Sequence, residues 1–77
     1  MSTPDIKRLF GERVRRLRTE LGLSQEEFAH RIKLDRSYYG SVERGERNIS
    51  LENICLTAAG LGVPPFELLR FDTSEVA

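Results

Sequence analysis

The sequence predicts an all-α fold, a bundle of five short helices around one core. Its apolar residues recur at helical spacing, and no run alternates with the period of two that a half-buried strand requires. Ser, Asp, Gly and Pro fall where helices start and stop. The chain has 77 residues, 39% of them apolar and 31% charged, which suits one soluble domain and leaves no room for a second core. Residues 1–71 are read as that domain and 72–77 as a short polar tail.

In the first helix Ile6, Phe10, Val14, Leu17 and Leu21 step by four, four, three and four, so they share one face. Thr3 is the expected N-cap, with Pro4 at the first helical position, Asp5 in the first turn and Gly22 as the stop. Ser24 opens the second helix and Glu27 follows three residues later, a capping box in which each side chain bonds the other's backbone N–H. The inward stripe of this helix is Phe28, Ala29 and Ile32, and it ends near Lys33. Asp35 caps a third helix from Arg36 to about Arg44, closed by Gly45, with Tyr39 and Val42 facing inward. Beyond a polar loop, Ser50 caps a fourth helix, Leu51 to about Leu61, whose expected inner face is Leu51, Ile54, Cys55, Ala58 and Leu61. Pro65 starts a short fifth helix carrying Phe66, Leu68 and Leu69.

Composition narrows the function. The single cysteine, Cys55, cannot close an intramolecular disulfide and is expected in the core as a small hydrophobe. With one histidine, His30, expected to face solvent, it cannot supply the roughly four ligands of a structural zinc site. No metal, cofactor or small-molecule ligand is implied. Charges run through residues 1–16 and no apolar stretch is long enough to span a bilayer, so a cytoplasmic protein is expected. No serine or cysteine has a spaced base beside it, which argues against an enzyme. Twelve basic and twelve acidic side chains cancel, but unevenly. Residues 1–47 carry eleven Lys/Arg against eight Asp/Glu, a balance of +3, and residues 48–77 carry one Arg against four acids, −3. A basic front suits a polyanion. A core of this size supplies only about 3–5 kcal/mol, which makes a second copy of the chain the expected support.

Two short helices joined by a tight turn, with a small residue (Ala29) inside the first, form the helix-turn-helix pattern. The stretch from Gly22 to Asn48 resembles the phage-repressor and Cro-like (Xre-type) helix-turn-helix family through Gly22-Leu23-Ser24-Gln25-Glu26-Glu27, Ala29 and Val42-Glu43-Arg44-Gly45. Gly62-Val63-Pro64-Pro65 with Leu68-Leu69 fits the family's last helix, so the resemblance spans roughly residues 8–70. Three positions depart from the pattern. Lys33 stands where the turn usually has glycine, Gly40 lies mid-helix, and Tyr39 replaces an aliphatic residue. The resemblance implies a lambda-repressor-like DNA-binding bundle with a central helix-turn-helix, and double-stranded DNA as its partner.

An α-helix fits the major groove, where each base pair shows its own pattern of donors and acceptors. The first turn of the third helix would face base edges, which makes Arg36, Ser37, Tyr38 and, one turn on, Ser41 the expected readers. Ser24 and Gln25 begin a helix whose unpaired N–H groups suit a phosphate. The resemblance adds Gln25, Arg44, Arg47 and Asn48 as DNA-backbone contacts and pairs Arg18 with Glu43 as a structural ion pair. It also implies a homodimer on a palindromic operator, because one recognition helix reads too few base pairs. Phe66, Leu69 and Phe71 are the expected dimer contact, the alternative being that they close the monomer core. Asp35-Arg36-Ser37-Tyr38 and Arg47-Asn48-Ile49-Ser50 are similar to the controller proteins of restriction-modification systems, which regulate their own operon. A transcriptional regulator of that kind is the leading expectation. The other is an antitoxin-type protein-binding module with secondary DNA binding, which the short segment after Phe71 disfavours.

Overall fold

Four capped α-helices and one 3-10 turn make up residues 5–71, the part of the chain that the structure, a computed structural model, describes. They are α1 (Ile6–Glu20), α2 (Gln25–Arg31), α3 (Arg36–Glu43) and α4 (Leu51–Leu61), followed by the 3-10 turn Pro65–Leu69. No strand occurs among the described residues. The fifth helix expected from the sequence is thus a 3-10 turn of five residues. Two consecutive prolines lead into it, and its bonds run i to i+3, from Glu67 N–H to the Pro64 carbonyl and from Arg70 N–H to the Glu67 carbonyl.

Local capping decides where each helix starts. The Asp5 carboxylate accepts from the Arg8 N–H at 3.1 Å. Asp5 is therefore the N-cap of α1 and not a first-turn residue, while Thr3 and Pro4 lie outside the described residues. Ser24 and Glu27 form the reciprocal capping box at 3.0 and 2.8 Å. Asp35 and Ser50 each accept from the N–H three residues on, both at 3.1 Å. After α2 the chain turns through Lys33 at φ 61°, a left-handed conformation that disfavours a side chain by about 1–2 kcal/mol. Two bonds hold the turn there, Lys33 N–H to the His30 carbonyl and Leu34 N–H to that of Ala29.

The core draws on every element: Phe10 and Val14 from α1, Phe28, Ala29 and Ile32 at α2, Tyr39 and Val42 from α3, Ala58 and Leu61 from α4, and Leu68. The Phe28 and Tyr39 rings pack tilted at 55° with centroids 5.2 Å apart, a favoured aromatic arrangement that locks α2 to α3. Ile6 and Leu21, at the two ends of the predicted α1 stripe, are half exposed because the core does not reach that far. Gly11 permits the crossing of α1 with α3: a Cβ there would overlap the carbonyl oxygens of Val42 and Glu43.

The inner face of α4 needs correction. Ile54, Thr57, Ala58 and Leu61 point inward, whereas Leu51 is 81% exposed and Cys55 is also exposed. The buried arc is rotated toward Thr57. That residue enters the core because its hydroxyl is satisfied by the Asn53 carbonyl at 2.7 Å, within its own helix. His30 is exposed. No helix among the described residues is long and apolar enough to cross a membrane.

Candidate nucleic-acid interface

Asp35 caps α3 so that its first turn projects from the body, with Arg36 and Ser37 exposed. Gln25, Arg36, Ser37, Gly40 and Arg44 line one shallow concavity, which joins the start of α2 to the outer face of α3. Arg36 has no ion-pair partner among the described residues. Arg44 is held by Glu46 at 3.2 Å, with both side chains more than half exposed. Such a pair is worth about 0–1 kcal/mol and yields easily to a phosphate. Gly40 gives these side chains their space. A Cβ there would meet Arg44 Nη1 at 3.1 Å and Gln25 Oε1 at 3.4 Å.

Two of the residues singled out from the sequence are placed differently from the rest. Ser41 is buried, its hydroxyl donating to the Tyr38 carbonyl at 2.6 Å and accepting from Arg47 Nε at 3.0 Å. It lies on the buried side of α3 and does not line the concavity. Ser24 is exposed, but its N–H and hydroxyl are engaged with Glu27. Its capping bonds also hold the Glu27 carboxyl below its usual range, so the start of α2 already carries a negative charge. Tyr38 is half-buried, its hydroxyl accepting from Asn53 Nδ2 at 3.2 Å. Arg47 lies over the Tyr38 ring, 5.4 Å from its centroid, and Asn48 beside it is exposed.

Behind this face Arg18 and Glu43 make a two-pronged ion pair, Nε to Oε2 at 2.7 Å and Nη2 to Oε1 at 3.0 Å. Gln25 Nε2 donates to Glu43 Oε1 at 2.9 Å, and the Tyr39 hydroxyl donates to Glu43 Oε2. Arg18 Nη1 reaches the Leu23 carbonyl at 2.7 Å. One buried carboxylate thus gathers α1, α2 and α3. Burial pushes its pKa up, but the hydrogen bonds from Arg18, Tyr39 and Gln25 outweigh that and hold it below the ordinary glutamate value. Arg18 is raised chiefly by its bond to Glu43. Tyr39 is raised by burial first and by Glu43 second, so it stays a neutral donor. The convergence of Gln25 and Tyr39 on Glu43 escaped the sequence reading. An inward Tyr where an aliphatic residue is usual was the one available signal.

On the 3-10 turn Phe66 is 62% and Leu69 52% exposed. Leu69 lines a groove with the apolar Ile6, Phe10, Ile49 and Ile54 and with Lys7, Arg47 and Asn48. Phe71 differs, being half-buried against its own core. Arg13 ties the 3-10 turn to α1, its Nε donating to the Glu67 carbonyl and its Nη2 to the Glu67 carboxylate at 2.9 and 3.0 Å.

A short capped helix held out by its neighbour, with arginines beside its first turn, defines a helix-turn-helix module. The chain belongs to the helix-turn-helix family, whose model matches residues 14–68. It is 52% identical over 65 residues to control protein C.MunI of a Mycoplasma species, covering 83% of this chain and 88% of that one. Among solved structures, restriction-modification controller protein C.AhdI from Aeromonas hydrophila is 56% identical with a TM-score of 0.78, over 79% of this chain and 92% of that one. Controller protein C.Esp1396I, crystallised as a tetramer with its natural 35 base-pair operator, is 31% identical with a TM-score of 0.75, over 83% and 88% of the two chains.

Proposed function

We propose that this chain is a sequence-specific DNA-binding transcriptional regulator that acts as a homodimer on a palindromic operator and controls a restriction-modification operon. The observation that carries the proposal is the concavity at the start of α3, where Arg36 and Ser37 project beside Gln25 and Arg44. In a major groove, Arg36 donates two parallel bonds to guanine O6 and N7, worth about 1–3 kcal/mol against a wrong base. Ser37 and the Tyr38 hydroxyl reach adjacent edges. Gln25, Arg44, Arg47 and Asn48 contact phosphates and set the register without reading sequence. Ser24 contributes less, because its groups serve the capping box. Ser41 supports Arg47 from behind and does not read bases.

The restriction-modification assignment rests on relatives named as control proteins, one of them in complex with its operator. The exposed Phe66 and Leu69 supply the apolar contact for pairing two copies, with Phe71 half-buried against the monomer core. Competition binding on an operator and on single-base variants tests the reading face. Arg36→Ala is expected to flatten discrimination at one base position of each half-site, whereas Arg44→Ala weakens every sequence about equally and lowers the salt slope by about one phosphate. Equal loss on all sequences from both variants would show that α3 has been assigned the wrong face.

A further inference from the structure

Tyr38 is half-buried on α3 and Arg47 is exposed in the loop that follows it, a setting in which a long side chain is normally free to choose among rotamers. Here both are held by residues outside the reading face. Asn53, on the first turn of α4, donates Nδ2–H to the Tyr38 oxygen at 3.2 Å, and its own N–H is capped by Ser50. Ser41 uses both halves of its hydroxyl, donating to the Tyr38 carbonyl and accepting from Arg47 Nε. The guanidinium plane is thereby set against the Tyr38 ring. Arg47 has no acidic partner among the described residues.

We propose that Asn53 and Ser41 are positioning residues that pre-set Tyr38 and Arg47 for DNA. The inference rests on the DNA-binding reading above. Because Asn53 donates to the phenol oxygen, the phenol hydrogen remains available, and Tyr38 meets the groove as a donor seeking a base or phosphate acceptor. Because Ser41 takes Nε–H, Arg47 keeps both terminal amino groups for a phosphate. Ordering these side chains before binding removes part of the entropy cost that a mobile loop arginine would otherwise bring to the complex.

Double-mutant cycles on operator affinity test this. Asn53→Ala should weaken operator binding about 3–10-fold, the effect of losing one hydrogen bond, and should do so almost entirely through Tyr38. In a Tyr38→Phe background the same change should be nearly silent. Ser41→Ala should weaken all sequences by a similar factor and be silent in an Arg47→Ala background. If Asn53→Ala does not fold, Asn53→Asp serves: an acceptor there turns the phenol hydrogen inward, so the loss it causes must be smaller in the Phe background, where only the added charge acts. In the free protein, the Arg47 Nε–H should exchange slowly with solvent in the wild type and quickly in Ser41→Ala. Additive losses in both cycles, or an unprotected Nε–H in the wild type, would overturn the proposal. A wild type that shows no sequence-specific DNA binding would instead sink the DNA-binding reading, and the proposal with it.

Discussion

Glu43 is the residue on which the helix-turn-helix geometry depends. Arg18, Gln25 and Tyr39 all donate to its carboxylate, so removing any one donor leaves a buried charge less well satisfied. Breaking the buried pair with Arg18→Ala should cost about 3–5 kcal/mol in denaturant unfolding, far more than deleting an exposed arginine such as Arg36. The pH dependence follows from the same site. The folded-state pKa of Glu43 lies below its unfolded value, so its contribution is complete above about pH 4.3 and disappears as pH falls through the lower folded value. Urea midpoints measured from neutral to strongly acidic pH should fall in that window, and the fall should be shallower in Glu43→Gln. An unchanged acid limb in that variant would mean that another carboxylate governs acid unfolding. The pairing of Arg18 with Glu43 was legible only through family resemblance, since a spacing of 25 residues says nothing by itself. Gln25 and Tyr39 were not legible as its partners, because three elements must pack before their side chains meet.

The elements themselves were largely readable, because capping is local. Ser24, Asp35 and Ser50 each bond a backbone N–H three residues ahead, so the helix starts they mark do not wait on tertiary structure. The rotation of α4 was not readable. Leu51 and Cys55 fit an apolar stripe, and only the packed neighbours decide that Thr57 turns inward and they do not. The type of the last helix was not readable for a related reason: its apolar residues suit either helix type, but the double proline and short length favour i to i+3 bonds. Gly11 shows the same limit from the other side. On propensity alone Gly11→Ala should stabilise an interior helical position by about 1 kcal/mol. Contact with the Val42 and Glu43 carbonyls reverses the sign. The expected outcome is a loss of about 1–3 kcal/mol, read as a lower thermal midpoint, with α1 pushed away from α3.

For the whole molecule, the zero net charge conceals a division of labour. The basic front, residues 1–47, holds the concavity and the arginines that would meet phosphate, and the acidic back carries the exposed Phe66 and Leu69. Two copies joined through that back would present two α3 helices to one face of DNA, and each additional correct base pair adds about 1–3 kcal/mol of discrimination. Sedimentation of the wild type at tens of micromolar, a scale of about 6–7 kcal/mol, should show a dimer, and Phe66→Ala should shift it toward monomer. The central claim is that the first turn of α3, presented twice, reads a symmetric site. Selection from random oligonucleotides with the purified protein tests it most directly. The account predicts an enriched palindrome with half-sites about one helical turn apart, roughly 34–36 Å between centres. A selected pool with no enriched sequence, or with a single unpaired half-site, would contradict it.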